Sequence, residues 1–410
     1  MTTTPSLEPD LMNPALIADP YGGFGQLREE GPVLRGRGMD GSPTWYVSRY
    51  DDVRAVLSDP RFVTSATAVP GGAKSDMRET MLEMLGIGPE LGIYLTGSIL
   101  NADGPDHHRL RKLVSRAFTV RRIGELRPRV EAIAASLLDA FTDPTDLVTA
   151  LDYPLPITVI CELVGVPEAD RPKWREWGQE LMAINPATAS GVLRAMADNV
   201  QALIEERRAR PSDDLLSALI RRHADEDDQL TDIELVTMVF TLVMAGHETT
   251  AHLIGNGARA LLTHPDQLDL LRVDPSLWPG AVAELMRFCG PVLITGMRYA
   301  TEDLDVAGVR VEQGDAVQTV LVSANFDPRE YDDPQQLDVT RRPSGRGDGH
   351  VGFGHGAHYC LGAALARQEG EVALRSLFER YPDLALATAE PEWVPVPGMR
   401  RLARLPVRLG

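Results

Sequence analysis

Apolar residues along this chain recur mostly every three or four positions, the spacing of one face of an α-helix. This spacing predicts helices over residues 21–31, 50–58, 106–117, 122–142, 155–165, 168–184, 189–209, 212–223, 231–263, 266–273, 277–288 and 361–381. Short runs typical of strands lie at 32–36, 43–47, 292–299, 304–311 and 316–320, and a further pair is expected near the C-terminus. The pattern therefore predicts a mainly α fold with a small β part.

The segment 231–263 is the longest predicted helix, and both of its ends are marked. Thr231 followed by Glu234 fits a capping box, in which each side chain accepts from the backbone of the other. Pro265 ends the pattern. At about 1.5 Å per residue, the helix is about 50 Å long, enough to cross a whole domain. We expect it to be the central helix of one domain that includes residues 1–410.

Two stretches break the helical pattern and are expected to be mobile covers over a site. Residues 63–100 are rich in Met and Gly and have no clear periodicity, and residues 182–193 separate two helical segments. Long irregular segments are uncommon unless they are functional or disordered.

Composition excludes several classes of protein. The chain has 410 residues, of which 43% are hydrophobic and 24% charged, as in ordinary globular proteins. It has no apolar run of about 18 residues and no basic-then-apolar leader, so we expect no membrane span and no signal peptide, and a cytoplasmic location. The net charge of -18 argues against nucleic-acid binding.

The cysteines point away from a disulfide framework and from a zinc site. Cys161, Cys289 and Cys360 are too few and too scattered for disulfides, which fits a reducing compartment. No pair has the CxxC spacing of a four-ligand zinc site.

One cysteine lies in an unusual setting, the run FGHGAHYCLG at residues 353–362. Glycines before Cys360 permit a tight loop that can closely approach a flat ligand. A predicted helix follows, so the sulfur lies at a helix N-terminus, where the dipole and free N–H groups favour a thiolate. A thiolate is a strong ligand for soft metals. The alternative is a buried structural cysteine between glycine turns.

This run resembles the haem-binding loop of the cytochrome P450 family, whose pattern is Phe-Gly-x-Gly-x-His/Arg-x-Cys-x-Gly. Every specified position is present, and the resemblance covers nearly the whole chain. The chain is similar in particular to soluble actinobacterial enzymes of this family that modify polyketides, macrolides and other natural products. The resemblance implies a cytochrome P450 fold with the long helix over haem b (iron protoporphyrin IX). It also implies that Cys360 is the axial thiolate, that Phe353 packs near the sulfur, and that Gly354 and Gly362 let the loop pass under the porphyrin.

Two further groups of residues match family positions. Glu284 and Arg287 are spaced i, i+3 on a helix, and with Arg341 they resemble the family's structural Glu-Arg-Arg group. The resemblance assigns the haem propionates to a second group, His107, Arg111, Arg298 and His358. Gly104 replaces a Pro of the family pattern before His107. Taken singly, each of these cations could equally be a solvated charge.

The middle of the long helix, VMAGHETTAH, resembles the family's acid–alcohol pair in Glu248 and Thr249. A Thr hydroxyl that breaks the helical hydrogen-bond pattern can hold an ordered water, and a nearby carboxylate can supply protons. Gly246, beside the small Ala245, gives room against the helix. The alternative is an exposed Glu with a Thr bonded back to the helix. We expect His247 and His252 to be packing or polar-network residues rather than metal ligands.

Basic residues cluster in sequence near these motifs in an otherwise acidic chain. They are Arg109, Lys112 and Arg116 in one helix and Arg342, Arg346 and Arg367 around the cysteine loop. We expect a basic face for an acidic ferredoxin or flavodoxin that an NAD(P)H reductase supplies with electrons. Ordinary surface charge is the alternative.

The substrate pocket is predicted above the haem and is mostly apolar, which favours a sizeable apolar small molecule. Its candidate lining residues are Met244, Ala245, Leu293, Ile294 and Met399, although core packing explains Leu293 and Met399 equally well. The implied reaction inserts one oxygen atom from O2 by hydroxylation or epoxidation. The alternatives are a peroxygenase, an oxidative coupling or desaturation catalyst, and a non-catalytic haem sensor or carrier.

Overall fold

The structure is a computed structural model that describes residues 9–183, 185–221, 229–343 and 348–410. It is rich in helices and poor in strands, which confirms the predicted fold class. The helices are α1 (Pro14–Ala18), α2 (Pro20–Glu30), α3 (Tyr50–Ser58), α4 (Met77–Met84), α5 (Pro89–Thr96), α6 (Gly104–Ala117), α7 (Val120–Asp139), α8 (Pro154–Val164), α9 (Arg171–Met182), α10 (Ala189–Ala209), α11 (Leu215–Ile220), α12 (Asp232–Thr263), α13 (Pro265–Val273), α14 (Trp278–Cys289), α15 (Leu321–Asn325) and α16 (Ala363–Arg380). The strands are β1 (Val33–Arg37), β2 (Pro43–Val47), β3 (Phe62–Val63), β4 (Thr145–Asp146), β5 (Arg298–Ala300), β6 (Leu304–Val306), β7 (Val309–Val311), β8 (Ala316–Thr319), β9 (Ala385–Leu386), β10 (Glu392–Val394), β11 (Arg401–Arg404) and β12 (Pro406–Arg408).

The central helix α12 begins with the predicted capping box. The N–H of Thr231 donates to Glu234 Oε2 at 2.7 Å, and the N–H of Glu234 donates to Thr231 Oγ1 at 3.2 Å. Its neighbours α8, α14 and α16 pack closely against it. At Gly246 an added Cβ would lie 3.0 Å from Ile160 Cγ1, so a side chain here would require Ile160 of α8 to shift by a few tenths of an ångström. The largest apolar cluster of the protein surrounds this helix.

The expected irregular cover at 63–100 is wrong in part, because it contains two short helices. Asp76 caps α4 by accepting from the N–H groups of Arg78 and Glu79, and Pro89 occupies the first turn of α5. These local signals outweigh the weak periodicity of the stretch. Between α9 and α10 the predicted interruption is present, but residue 184 lies outside the described residues.

Other element boundaries also differ from the predictions. The predicted helix 212–223 is α11, which is only six residues long, and residues 222–228 lie outside the described part. The predicted strand 292–299 is mostly irregular, and only its end enters a sheet as β5. The turn before α8, Val148–Asp152, is π-helical.

The main sheet has the strand order β1-β2-β8-β5-β3. Strands β1 and β2 form an antiparallel pair with Val33 opposite Val47, and β2 runs parallel to β8 with Thr44 opposite Ala316. In this order β5 lies between β8 and the edge strand β3, and Arg298, the first residue of β5, is opposite Val317 of β8. Smaller sheets join β4-β12-β9, β10-β11 and β6-β7.

Two predictions from composition can be compared with the structure. Within the described ranges, no helix combines the length and apolarity needed to cross a membrane. All three cysteines are free, as expected. Burial raises the pKa of the thiols of Cys161 and Cys289 to about 12, which makes both unreactive.

Candidate active site

The loop that carries Cys360 turns tightly and ends where α16 begins. Gly354 and Gly356 have φ angles of +73° and +71°, a region that side chains rarely adopt. A Cβ at Gly356 would also overlap the carbonyl oxygen of Leu57 at the end of α3. The N–H of Cys360 donates to the carbonyl of Phe353 at 2.9 Å and closes the loop. The glycines are therefore required by the backbone path.

Burial and the helix N-terminus act in opposite directions on the protonation of Cys360. Burial raises the pKa of the Cys360 thiol, and the N–H of Gly362 and the charges of Arg111 and Arg367 only partly oppose this rise. The N–H of Gly362 favours the thiolate, as expected of a helix N-terminus, but desolvation opposes it in the polypeptide by itself. A bound metal must displace the thiol proton.

Arg367, on α16, packs against the cysteine loop and therefore belongs to the site. Its guanidinium lies 4.7 Å from the ring centroid of Phe353 and donates to the hydroxyl of Tyr359 at 2.8 Å. It also forms an ion pair with Asp348. Phe353 itself is buried in an apolar cluster that includes Cys360. These contacts fix the loop against α16.

Two arginine and two histidine side chains, from three elements, converge beside the cysteine loop. Arg111 and His107 come from α6, Arg298 from β5, and His358 from the loop. The imidazole centroids of His107 and His358 are 4.1 Å apart. Burial, and then the positive charges of His107 and Arg298, lower the pKa of His358 to about 4. Burial likewise lowers the pKa of Arg111 and of Arg298.

The Asp103 carboxylate acts on this cluster but is already held by backbone donors. Asp103 accepts from the N–H of Thr64 at 2.8 Å and from the N–H of Ser65 at 2.9 Å, so its oxygens are occupied. Its distance to His358 Nε2 is 4.0 Å. Two partly buried guanidinium groups are thus left to bind anions, and two carboxylates would suit them.

This donor set fits a haem better than a metal ion held by protein alone. Among the described residues, no group of three His, Cys, Asp or Glu side chains can hold a metal. A metal on Cys360 must therefore take its remaining ligands from a cofactor. A haem supplies four ring nitrogens and two propionates, and the propionates match the charge of the neighbouring cluster.

Glu284, Arg287 and Arg341 form a buried group. Arg287 Nη2 lies 2.6 Å from Glu284 Oε1, and Arg341 Nε lies 3.2 Å from the same oxygen. Only 2% of each side chain in the Glu284–Arg287 pair is exposed. The small stabilisation typical of surface ion pairs therefore does not apply to it. Arg287 also donates to the carbonyls of Asn325 and Pro334, which ties α14 to the segment after α15.

On α12, Ala245 and Thr249 occupy the accessible side of an otherwise largely buried stretch. The hydroxyl of Thr249 donates to the carbonyl of Ala245 at 2.8 Å, so Thr249 is bonded back to the helix. Glu248 is buried rather than exposed. No hydrogen bond joins Glu248 to Thr249 within the described residues, as expected for neighbours that do not face each other on a helix.

The Glu248 carboxylate lies in a polar cluster that sequence analysis identified only in part. Its Oε2 is 2.9 Å from Tyr153 Oη, 3.3 Å from His252 Nε2 and 3.6 Å from Arg401 Nη2. Burial opposes ionisation, but the hydrogen bond with His252 and the charges of His247 and Arg401 outweigh it and hold the pKa of Glu248 well below its usual range. His252 is a polar-network residue as predicted. Tyr153 and Arg401 were missed because they come from distant segments without a local motif.

The predicted pocket residues divide into two sets. Met244 is half-buried on α12 near Gly178 of α9, next to the accessible Ala245. Leu293 and Ile294 are buried in an apolar cluster with residues of the N-terminal segment. Met399 pairs with Val292 in an isolated β-bridge. The structure therefore places Leu293 and Ile294 in core packing, and contact of any of these residues with substrate stays a prediction.

The residues of the predicted basic face lie in different surroundings. Arg109 forms an ion pair with Glu234 at the start of α12, so its charge is balanced. Lys112, Arg116 and Arg342 are exposed. Arg346 lies outside the described residues.

The chain is similar to known proteins over nearly its whole length. The profile described as "Cytochrome P450" matches residues 184–274 and 277–392. The chain is 42% identical over 411 residues to the cytochrome P450 monooxygenase PikC of Streptomyces venezuelae, covering 98% of this chain and 94% of PikC. It is 41% identical over 416 residues to the 6-deoxyerythronolide B hydroxylase of Saccharopolyspora erythraea, covering 100% of both.

Solved structures show the same likeness. Cytochrome P450 PksS of the bacillaene polyketide synthase from Bacillus subtilis 168 superposes with a TM-score of 0.85 at 35% identity, covering 97% of this chain and 98% of PksS. Together with the cysteine loop, the cationic cluster and the central helix, these relationships show that the chain belongs to the cytochrome P450 family of haem-dependent monooxygenases.

Proposed function

We propose that this monooxygenase inserts one oxygen atom from O2 into a sizeable apolar secondary metabolite, such as a polyketide or macrolide, by hydroxylation or epoxidation. The observation that carries the proposal is the convergence of His107, Arg111, Arg298 and His358 beside Cys360. The names of the relatives, which include a hydroxylase of 6-deoxyerythronolide B, support this substrate class. In this proposal residues 1–410 act as one haem-thiolate domain.

The proposed cofactor is haem b. Cys360 would hold the iron, and the four convergent side chains would hold the propionates. Gly354 and Gly362 would let the loop approach the ring, and Phe353 would shield the sulfur from water. When bound, the haem supplies the activation of dioxygen and the transfer of one oxygen atom.

The protein's own part is the control of protons, water and substrate. We assign the hydroxyl of Thr249 the role of holding an ordered water and Glu248 the role of supplying protons to it. Ala245 leaves space opposite this hydroxyl. Met244 would line the substrate side, where apolar packing excludes bulk water. Glu284, Arg287 and Arg341 are assigned a structural role, because their buried group ties α14 to the chain before the cysteine loop.

Electrons would come from an acidic ferredoxin or flavodoxin that an NAD(P)H reductase reduces. Lys112, Arg116 and Arg342 are the exposed basic residues assigned to this contact. The protein's net charge of -18 makes a local basic face necessary for steering an acidic partner. Three free cysteines support a reducing location such as the cytoplasm.

Oxygen labelling tests the proposed reaction. The purified enzyme, a ferredoxin, its reductase and NADPH are incubated with 6-deoxyerythronolide B and a panel of other macrolide aglycones under ¹⁸O2. The proposal predicts a product heavier by one ¹⁸O atom that depends on NADPH. Products that form with hydrogen peroxide but not with the redox chain would instead favour a peroxygenase. Dehydrogenated or coupled products without label would contradict oxygen insertion.

A further inference from the structure

One oxygen of the Glu248 carboxylate, Oε2, has several polar neighbours. Groups from three elements surround Oε2: Tyr153 immediately before α8, His252 one turn further along α12, and Arg401 at the start of β11. All four side chains are buried or nearly so. Buried polar groups of this kind are costly unless they are satisfied, so the cluster constrains the position of every member.

Within this cluster, His252 Nε2 faces both hydrogen-bond donors and an acceptor. Its Nε2 lies 3.2 Å from Arg401 Nε, 3.0 Å from Tyr153 Oη and 3.3 Å from Glu248 Oε2. A guanidinium N–H only donates, so Arg401 favours a bare Nε2, whereas the carboxylate favours a proton there. Each state of the imidazole thus has one neighbour that stabilises it.

The second oxygen of Glu248 is different. Oε1 is buried and has no hydrogen-bond partner among the described residues, and the same holds for His247 Nε2, which lies 3.7 Å away. His247 Nδ1 lies 2.7 Å from the carbonyl of Val243, so Nδ1 carries the proton and Nε2 is bare when the ring is neutral. Oε1 is therefore the oxygen of Glu248 that remains available to exchange a proton.

We propose that Tyr153, His252 and Arg401 are positioning residues that hold Glu248 ionised through Oε2 and leave only Oε1 to exchange protons during oxygen reduction. This inference rests on the proposed roles of Glu248 and Thr249. Glu248 is turned away from Thr249, so its delivery of protons depends on how firmly these three residues fix it.

Other titratable and charged groups also face this region. His247 adjoins Glu248 on α12, and Arg175 of α9 acts on His247. Asp152 precedes Tyr153 and lies against Gly255 of α12. Burial raises the pKa of Asp152, which favours its neutral form.

The test uses dioxygen itself as the probe, so it needs no knowledge of the substrate. With a ferredoxin, its reductase and NADPH, the haem-loaded enzyme reduces O2 either to peroxide, with one NADPH per O2, or to water, with two. Water formation requires the additional protons, so the share of O2 released as peroxide reports proton delivery. The variants are Tyr153→Phe, Arg401→Lys and Arg401→Met. Tyr381→Phe, which removes a hydroxyl that donates to the carbonyl of Leu138 at 2.7 Å, is the matched control.

We expect Tyr153→Phe to raise the peroxide share about threefold, since it removes a hydrogen bond to a charged group. Arg401→Lys keeps the charge but lacks the planar group that donates to both His252 and Tyr153, and should give a smaller rise than Arg401→Met. In Arg401→Met the peroxide share should also depend on pH between about 8 and about 6, because the carboxylate loses its permanent cation and takes up a proton more readily. The peroxide share of the wild type should not change over that pH range.

Parallel measurements distinguish a folding defect from a loss of proton delivery. Each variant must show the wild-type spectrum with carbon monoxide, and Tyr381→Phe should leave the peroxide share unchanged. If Thr249→Ala raises the peroxide share but Tyr153→Phe and both Arg401 variants match the wild type, the inference fails and the proposed relay stands. If Thr249→Ala also matches the wild type, both fail.

Discussion

The hydroxyl of Thr249 donates to the carbonyl oxygen of Ala245 across 2.8 Å, on the accessible side of α12. Its lone pairs remain open to a water, because the hydroxyl proton is already used by the helix. The Glu248 carboxylate lies on the buried side of the same helix. The proposed relay thus uses two adjacent residues on different sides of one helix, and water must connect them.

Thr249→Ala should still bind haem but release more hydrogen peroxide for each product formed. The expected rise is about tenfold, less than the roughly 100-fold typical of positioned proton transfer, because water partly replaces the hydroxyl. Peroxide and product are measured together during turnover with a macrolide aglycone. Thr249→Ser, which keeps the hydroxyl, should stay near the wild type. If Thr249→Ala releases no more peroxide per product than the wild type, Thr249 is not part of the relay.

Asp152→Asn should stabilise the protein at neutral pH. Both oxygens of Asp152 are buried without a hydrogen-bond partner among the described residues, and burial, with a smaller effect from Asp146, raises its pKa. In the unfolded chain this carboxyl ionises near pH 3.9, and burial, which raises its pKa, makes the ionised form costly in the folded chain above that pH. That cost is absent below the unfolded pKa and grows as the pH rises towards the folded pKa.

Thermal unfolding as a function of pH checks this expectation. Tm of Asp152→Asn should equal that of the wild type near pH 4 and exceed it at pH 7. The exposed Asp198→Asn serves as the control and should change Tm little at either pH. A lower Tm at pH 7 for Asp152→Asn would mean that the carboxyl is ionised and bound in the folded state.

Arg287→Met should destabilise the protein strongly, because it leaves Glu284 as a buried carboxylate with only Arg341 as an ionic partner. The expected loss is about 3–5 kcal/mol in the free energy of unfolding. The exposed Arg272, which lies 2.9 Å from Asp269 with the same i, i+3 spacing, is the control, and Arg272→Met should cost about 1 kcal/mol or less. Urea unfolding of the haem-loaded proteins measures both. Equal losses would contradict a structural role for the buried group.

Lys112→Glu with Arg116→Glu should slow electron transfer from an acidic ferredoxin. We expect a decrease of about tenfold at low ionic strength and little difference at high salt, because exposed charges more than about 10 Å apart are screened at 0.1 M. Stopped-flow reduction of the haem across a salt series measures the rate. Lys173→Glu with Arg194→Glu, at exposed basic residues of α9 and α10, makes the same change in net charge and is the control. An unchanged rate at low salt would place the partner elsewhere.

The parts of the site that could be predicted are those that short sequence distances determine. The glycines of the cysteine loop, the capping box of α12 and the i, i+3 pair of Glu284 and Arg287 each act over a few residues. Tyr153 reaches Glu248 across 95 positions of the chain, so no local pattern could identify it. Nor could the sequence show that Glu234 balances Arg109, or that burial outweighs the helix N-terminus at Cys360, because both depend on tertiary packing.

The carbon monoxide spectrum of the reduced, haem-loaded protein tests the central claim most directly. If Cys360 holds the haem iron, the wild type and the variants Cys161→Ala and Cys289→Ala should all show the red-shifted Soret band of thiolate ligation. Cys360→Ala should lack this band, whether or not haem remains bound. A Cys360→Ala variant that keeps the red-shifted band, or a wild type that never shows it, would contradict the account.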